Sequence, residues 1–103
     1  MDERIGPREL QARAAELKVF DIRKEPDDQK IPGSIPFEGA AIEIGADVPF
    51  GKDDEVVLYC GSGNSCSRIA KTLRERGYNA VALEGGYKGW VAEGLPTDER
   101  GEA

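Results

Sequence analysis

Val56-Val57-Leu58-Tyr59-Cys60-Gly61-Ser62-Gly63-Asn64-Ser65 is the stretch on which the reading of the fold turns. Its first four residues form a continuous apolar run, as expected of a strand buried on both faces of a parallel sheet. The next six form a turn-rich hexad. A helical pattern then runs from Ser65 or Cys66 to Arg76, and Gly77 is placed to stop it. On that helix Cys66, Ile69, Ala70 and Leu73 share one apolar stripe, while Arg68, Lys71 and Glu75 fall on the opposite, solvated side. Cys60 is thus predicted at the turn from a buried strand into a helix.

The same alternation continues outward. Downstream, Ala80 to Leu83 reads as a strand, Glu84-Gly85-Gly86 as a turn and residues 87–93 as a last helix containing Trp90, which is expected to pack in the core. Residues 97–103 read as a frayed tail. Upstream, Pro7 suits the first turn of a helix, with Leu10, Ala14 and Leu17 on one face. Val19 to Ile22 is a short apolar strand. Residues 23–39, rich in Pro, Gly and Asp, read as a long surface loop whose acidic members Glu25, Asp27 and Asp28 are expected to be solvated. Ala40 to Ile44 fits a strand or a short helix equally. Strands alternating with helices mean an α/β fold with a mainly parallel sheet.

Composition narrows the chemistry. A chain of 103 residues suits one domain, and 39% hydrophobic with 33% charged residues suits an ordered globular fold. No apolar run is long enough to span a bilayer, and the first residues lead into no apolar signal-like core, so a cytoplasmic location is expected. The net charge of -6 argues against nucleic acid or an anionic membrane as the main partner. Histidine is absent, which removes Ser-His-Asp and Cys-His catalysis and the commonest metal ligand. Two cysteines without histidine are too few for a structural zinc site, so no metal or cofactor is expected.

Cys60 lies where open α/β sheets bind ligands, beyond the carboxyl end of a strand. Gly61 and Gly63 are expected to let the backbone curl so that several N–H groups face one point at a helix start. A thiolate there would have a depressed pKa, and the same cradle would hold a persulfide. Alternatively, Cys60 is a small buried hydrophobe, or the Gly-rich turn binds phosphate, although no Gly-Lys-Ser/Thr follows. Cys66 has two readings: a resolving thiol for Cys60, or a buried member of the helix stripe, which its spacing favours. Arg23, at a strand end predicted to lie near Cys60, is either a contact of the active loop or half of a structural ion pair. Asp21 is expected to be structural, holding backbone N–H groups or capping a turn.

Several segments in order resemble the rhodanese-like domain family over about residues 6–97. Val19-Phe20-Asp21-Ile22-Arg23 looks like its Asp-x-Arg segment, and Ile31-Pro32-Gly33-Ser34-Ile35 is similar to its Ile-Pro-Gly-Ala-x element. Val57 to Cys60 with Gly63-Asn64 resembles its strand and active loop. Leu83-Glu84-Gly85-Gly86, Trp90 and Gly94-Leu95-Pro96 resemble its closing segment. The resemblance implies a rhodanese-like three-layer α/β/α fold with a five-stranded sheet, spanning 1–103 as a single domain with 98–103 as a flexible tail. It also implies that Cys60 accepts a sulfane sulfur from a small donor (thiosulfate, polysulfide or persulfide) and passes it to a thiol, cyanide or protein acceptor. Gly61, Ser62, Gly63, Asn64, Ser65, Cys66 and Arg23 would then surround the substrate. The chain departs from the family's frequent Cys-x-x-Gly-x-Arg-Ser loop: Ser65 stands at the Arg position and Cys66 at the Ser position. A phosphatase or arsenate reductase with a Cys-x5-Arg loop is disfavoured, because its arginine position is Cys66 and no arginine can clamp from there. The missing cation leaves open a non-catalytic interaction module, and the second cysteine leaves open a thiol redox switch.

Overall fold

The computed structural model describes residues 4–99. In chain order the elements are β1 (Arg4–Ile5), α1 (Pro7–Arg13) with a 3-10 turn over Ala14–Glu16, β2 (Lys18–Asp21), β3 (Gln29–Lys30), β4 (Ile35–Pro36), α2 (Gly39–Glu43), β5 (Glu55–Tyr59), α3 (Asn64–Glu75), β6 (Asn79–Leu83), α4 (Gly86–Ala92) and β7 (Asp98–Glu99). Five strands form a wholly parallel sheet in the order β1-β6-β5-β2-β4.

The apolar run of β5 is explained by the two layers it separates. Val56, Leu58 and Cys60 join the core under α2 and α3, together with Cys66, Ile69, Ala70 and Leu73. Val57 and Tyr59 point the other way, into a second core with Leu10 of α1 and Trp90 of α4. Successive side chains of a strand alternate faces, so a strand covered on both sides is apolar at every position. The same alternation sends Cys60 to the α3 face. On that face β6 contributes only Ala80 and Ala82, small side chains that let α3 lie close to the sheet.

Connections leave β2 and β5 in opposite directions. From β2 the chain moves outward to β4, whereas from β5 it crosses through α3 to β6. The crevice at the carboxyl ends of β2 and β5, where Asp21 is in register with Tyr59, is therefore the switch point at which such sheets bind ligands. Cys60 is the next residue after β5.

Three expectations need correction. The segment 23–39 is not simply loop: it supplies β3 and β4, each of two residues and legible only through its pairing. Asp98 and Glu99 are not frayed, since β7 pairs antiparallel with β3 and Thr97 Oγ1 donates to Gln29 Oε1 at 2.9 Å; residues 100–103 of the expected tail lie outside the described residues. Ala14 does not share the buried face of Leu10, because the helix tightens into the 3-10 turn at Ala14 and leaves it exposed. Asp27 is exposed as expected, and its Oδ1 accepts from the Gln29 N–H at 2.9 Å. Residues 40–43 fall in the helix α2, with Ile44 as its C-cap; it begins at Gly39, where a Cβ would lie 2.8 Å from Ile69 Cδ1. The final helix starts at Gly86 and α3 starts at Asn64, each one or two residues earlier than the apolar periodicity suggests. Among the described residues no helix is long and apolar enough to cross a membrane.

Candidate active site

Cys60 Sγ accepts two backbone hydrogen bonds, from Gly63 N–H at 3.1 Å and Cys66 N–H at 3.3 Å. Gly63 makes this possible with φ of 98°, a left-handed conformation that turns the chain into the first turn of α3. The sulfur is thus held where the positive end of the helix favours an anion. The neighbouring Cys66 thiol, with the amides of Cys66, Gly63 and Ser62, outweighs the opposing effect of burial and brings the Cys60 pKa down to about 5. The nearness of Cys60, together with burial, pushes the Cys66 thiol well up, so Cys66 keeps its proton where Cys60 is ionised. Both cysteines are free thiols.

A second set of amides holds the loop from behind. Tyr87 N–H donates to Cys60 O at 2.8 Å and Lys88 N–H to Gly61 O at 3.0 Å, both from the first turn of α4. With their carbonyls drawn toward α4, the loop residues are free to present N–H groups to the sulfur. The approach is close: a Cβ on Gly86 would lie 2.5 Å from Cys60 O and 2.7 Å from Gly63 N, so only glycine fits. Gly61, by contrast, has no positive φ and open space where its Cβ would be, so the curl expected of it is supplied by Gly63 and Gly86. The role of Gly86, Tyr87 and Lys88 was not read from the sequence beyond a turn allowing close packing; the Gly85-Gly86 pair was the available signal.

Arg23 is an ion-pair partner of Asp21. Nε and Nη2 donate to Oδ1 and Oδ2 at 2.9 and 2.7 Å, Nη2 also donates to Gln29 O at 2.7 Å, and the side chain is only 5% exposed. Its guanidinium lies 4.2 Å from the centroid of the Tyr87 ring. Asp21 Oδ1 also accepts from Arg23 N–H at 3.0 Å, the local turn expected of it. Together these contacts tie the end of β2 to β3 and to α4 beside the loop. Tyr59 completes the support, as its hydroxyl accepts from Ile31 N–H at 3.2 Å and pairs with Ser34 Oγ at 2.8 Å.

Cys60, Gly61, Ser62, Ser65 and Arg23 line an open cleft of about 520 Å³ with Ile22, Phe37, Ile69 and α2. Asn64 is exposed at the start of α3, while Gly63 and Cys66 are buried behind the sulfur. The cations Lys24, Arg68 and Lys88 also line the cleft. Arg68 is exposed, as its place on the helix implies, and pairs across the mouth with Glu43 of α2 at 3.6 Å rather than with Glu75. A smaller cavity of about 200 Å³ lies at the amino ends of the strands, where Arg13 and Glu55 pair at 2.6 Å and no thiol is present.

The sequence profile described as the rhodanese-like domain matches residues 6–93. The chain belongs to the rhodanese-like domain family. It is 35% identical over 86 residues to a putative sulfurtransferase of Bacillus subtilis, YtwF, covering 79% of this chain and 80% of that one. Its fold is similar to that of a rhodanese-related protein from Thermoplasma volcanium, with a TM-score of 0.78 at 24% identity, over 94% of this chain and 98% of that one. It is similar also to the rhodanese-like domain of the Anabaena protein Alr3790, with a TM-score of 0.80 at 23% identity, over the whole of this chain and 86% of that one. At such identities the two structures bear on the fold alone, which is the rhodanese-like three-layer arrangement.

Proposed function

We propose that this rhodanese-like domain is a sulfurtransferase or sulfur carrier that cycles through a persulfide on Cys60. The observation that carries the reading is the sulfur of Cys60, held by loop amides as a thiolate and opening on a cleft. The thiolate attacks the outer sulfur of a small donor. A bond forms between Cys60 Sγ and that sulfur as the donor's own bond breaks, releasing sulfite from thiosulfate or a thiolate from a persulfide. An acceptor thiol or cyanide then attacks the outer sulfur, and Cys60 leaves as a thiolate. Its depressed pKa favours that departure, because lower-pKa thiols are better leaving groups. The Arg23 guanidinium is engaged by Asp21, Gln29 O and the Tyr87 ring rather than offering a free cation to the substrate. Positive charge for an anionic donor comes instead from Lys24 and Lys88 at the cleft, while Arg68 is paired with Glu43.

Intact mass after exposure to thiosulfate or polysulfide tests the reading. One added sulfur atom is expected on the wild type and none on Cys60→Ala. An unchanged mass, with Cys60 still open to alkylation, would overturn it.

A further inference from the structure

We propose that Cys66 is a resolving thiol, giving the domain a second activity: reduction of the sulfane sulfur on Cys60 to sulfide, with closure of a Cys60–Cys66 disulfide. The inference rests on the carrier reading above. It starts from a juxtaposition that transfer between a donor and an external acceptor does not need. The Cys66 N–H donates to Cys60 Sγ at 3.3 Å, and the two side chains lie in one buried cluster. Cys66 is wholly buried, whereas Cys60 lines the cleft.

This placement selects which sulfur Cys66 can reach. The sulfur added to Cys60 grows into the cleft, because the buried side of Sγ is already occupied by the first turn of α3. An external acceptor meets the outer sulfur. Cys66, approaching from behind, meets only the inner one. Attack on the inner sulfur forms the Cys66 Sγ–Cys60 Sγ bond and breaks the bond from Cys60 Sγ to the outer sulfur, which leaves into the cleft as hydrosulfide. The persulfide is the oxidant: its outer sulfur is reduced from sulfane to sulfide, and the two cysteines are oxidised to a disulfide. The Cys66 proton, released as the nucleophile forms, ends on the departing sulfide or in solvent.

The order of events is also set by the site. While Cys60 is an unloaded thiolate, its charge holds the proton on Cys66 and keeps Cys66 unreactive. Loading moves the negative charge outward by one atom, so that hold weakens only after sulfur has arrived. An external dithiol must then reduce the disulfide to complete a cycle. Acceptor thiols that reach the outer sulfur first would take it without closure, so acceptor supply divides the flux between transfer and sulfide release.

The test is a single loading with inorganic polysulfide under anaerobic conditions, rapid desalting, and incubation without thiol. For the wild type the expected result is release of sulfide after desalting, a mass lower by two hydrogens than the reduced chain, and loss of both thiols alkylatable in denaturant until dithiothreitol is added. Cys66→Ser and Cys66→Ala should keep the added sulfur and release no sulfide. Equal retention of the added sulfur in wild type and both variants would overturn the proposal while leaving the carrier reading intact. Failure of the variants and the wild type alike to take up sulfur would overturn both.

Discussion

Two helices begin beside Cys60, and their first turns serve opposite groups. Before α3, Gly63 at φ 98° brings its own amide and that of Cys66 to the sulfur. Before α4, Gly85 at φ 75° lets Tyr87 and Lys88 donate to the carbonyls of Cys60 and Gly61. Neither start carries a side-chain cap, so both leave main-chain donors available. One set stabilises charge on the reacting atom. The other removes carbonyl oxygens from the neighbourhood of that charge, where they would repel it. A sulfur cradle thus depends on a helix that never touches the sulfur, and such fixed dipoles need no rearrangement when the charge appears.

The comparison can be broken first at the α3 side, where the expected effect is largest. Thiolate is the reactive form, so a Cys60 held at about 5 remains alkylatable as pH falls toward the acid range, losing reactivity only below that value. An ordinary thiol, ionising near about 8.5, would lose about tenfold in reactivity per unit between about pH 8 and about pH 6. The rate of iodoacetamide labelling of Cys60 across that range is expected to be flat, and a steady decline would show that the amides do not hold the charge. Next is the α4 side. Gly86→Ala places a Cβ against Cys60 O and Gly63 N, and should cost about 3 kcal/mol or more through steric overlap. Urea unfolding measures the loss, and the surviving folded fraction should show a Cys60 midpoint moved upward. A stability near that of the wild type would mean that α4 can stand off from the loop. The smallest effect is expected at Gly61, the one loop glycine with room for a side chain. Gly61→Ala should change stability by no more than about 0.5 kcal/mol and leave the labelling profile unchanged. A larger change would place the curl of the loop in Gly61 after all.

The elements easiest to read from sequence were those buried on both faces. Val56 to Tyr59, Ala80 to Leu83 and the stripe of Cys66, Ile69, Ala70 and Leu73 carry their periodicity in apolar side chains, and the structure places them accordingly. The strands of two residues at Arg4, Gln29, Ile35 and Asp98 carry none. They exist because a partner strand offers main-chain hydrogen bonds, and two residues cannot show a pattern. The same division runs through the site. Cys60 was legible as a candidate because a cysteine at a strand end before a Gly-rich turn has a local signature. Gly86 was not legible as a wall of that site, since what excludes its Cβ is Cys60 O, far away along the chain. Arg23 was legible as a charge near the loop, and only its measured neighbours Asp21 and Gln29 show where that charge is spent.

The burial of the two cysteines gives the chain an internal clock of its own motions. Cys60 stands at the edge of a cleft, while Cys66 is sealed between α3 and the sheet with no exposed surface. A reagent small enough to enter the cleft can meet the first, which keeps 6% of its surface exposed. It can meet the second only when α3 lifts away from β5 and β6, an opening whose free energy lies between that of loop fluctuation and that of global unfolding. Thiol counting against time therefore separates access to the cleft from detachment of the helix, without any added probe.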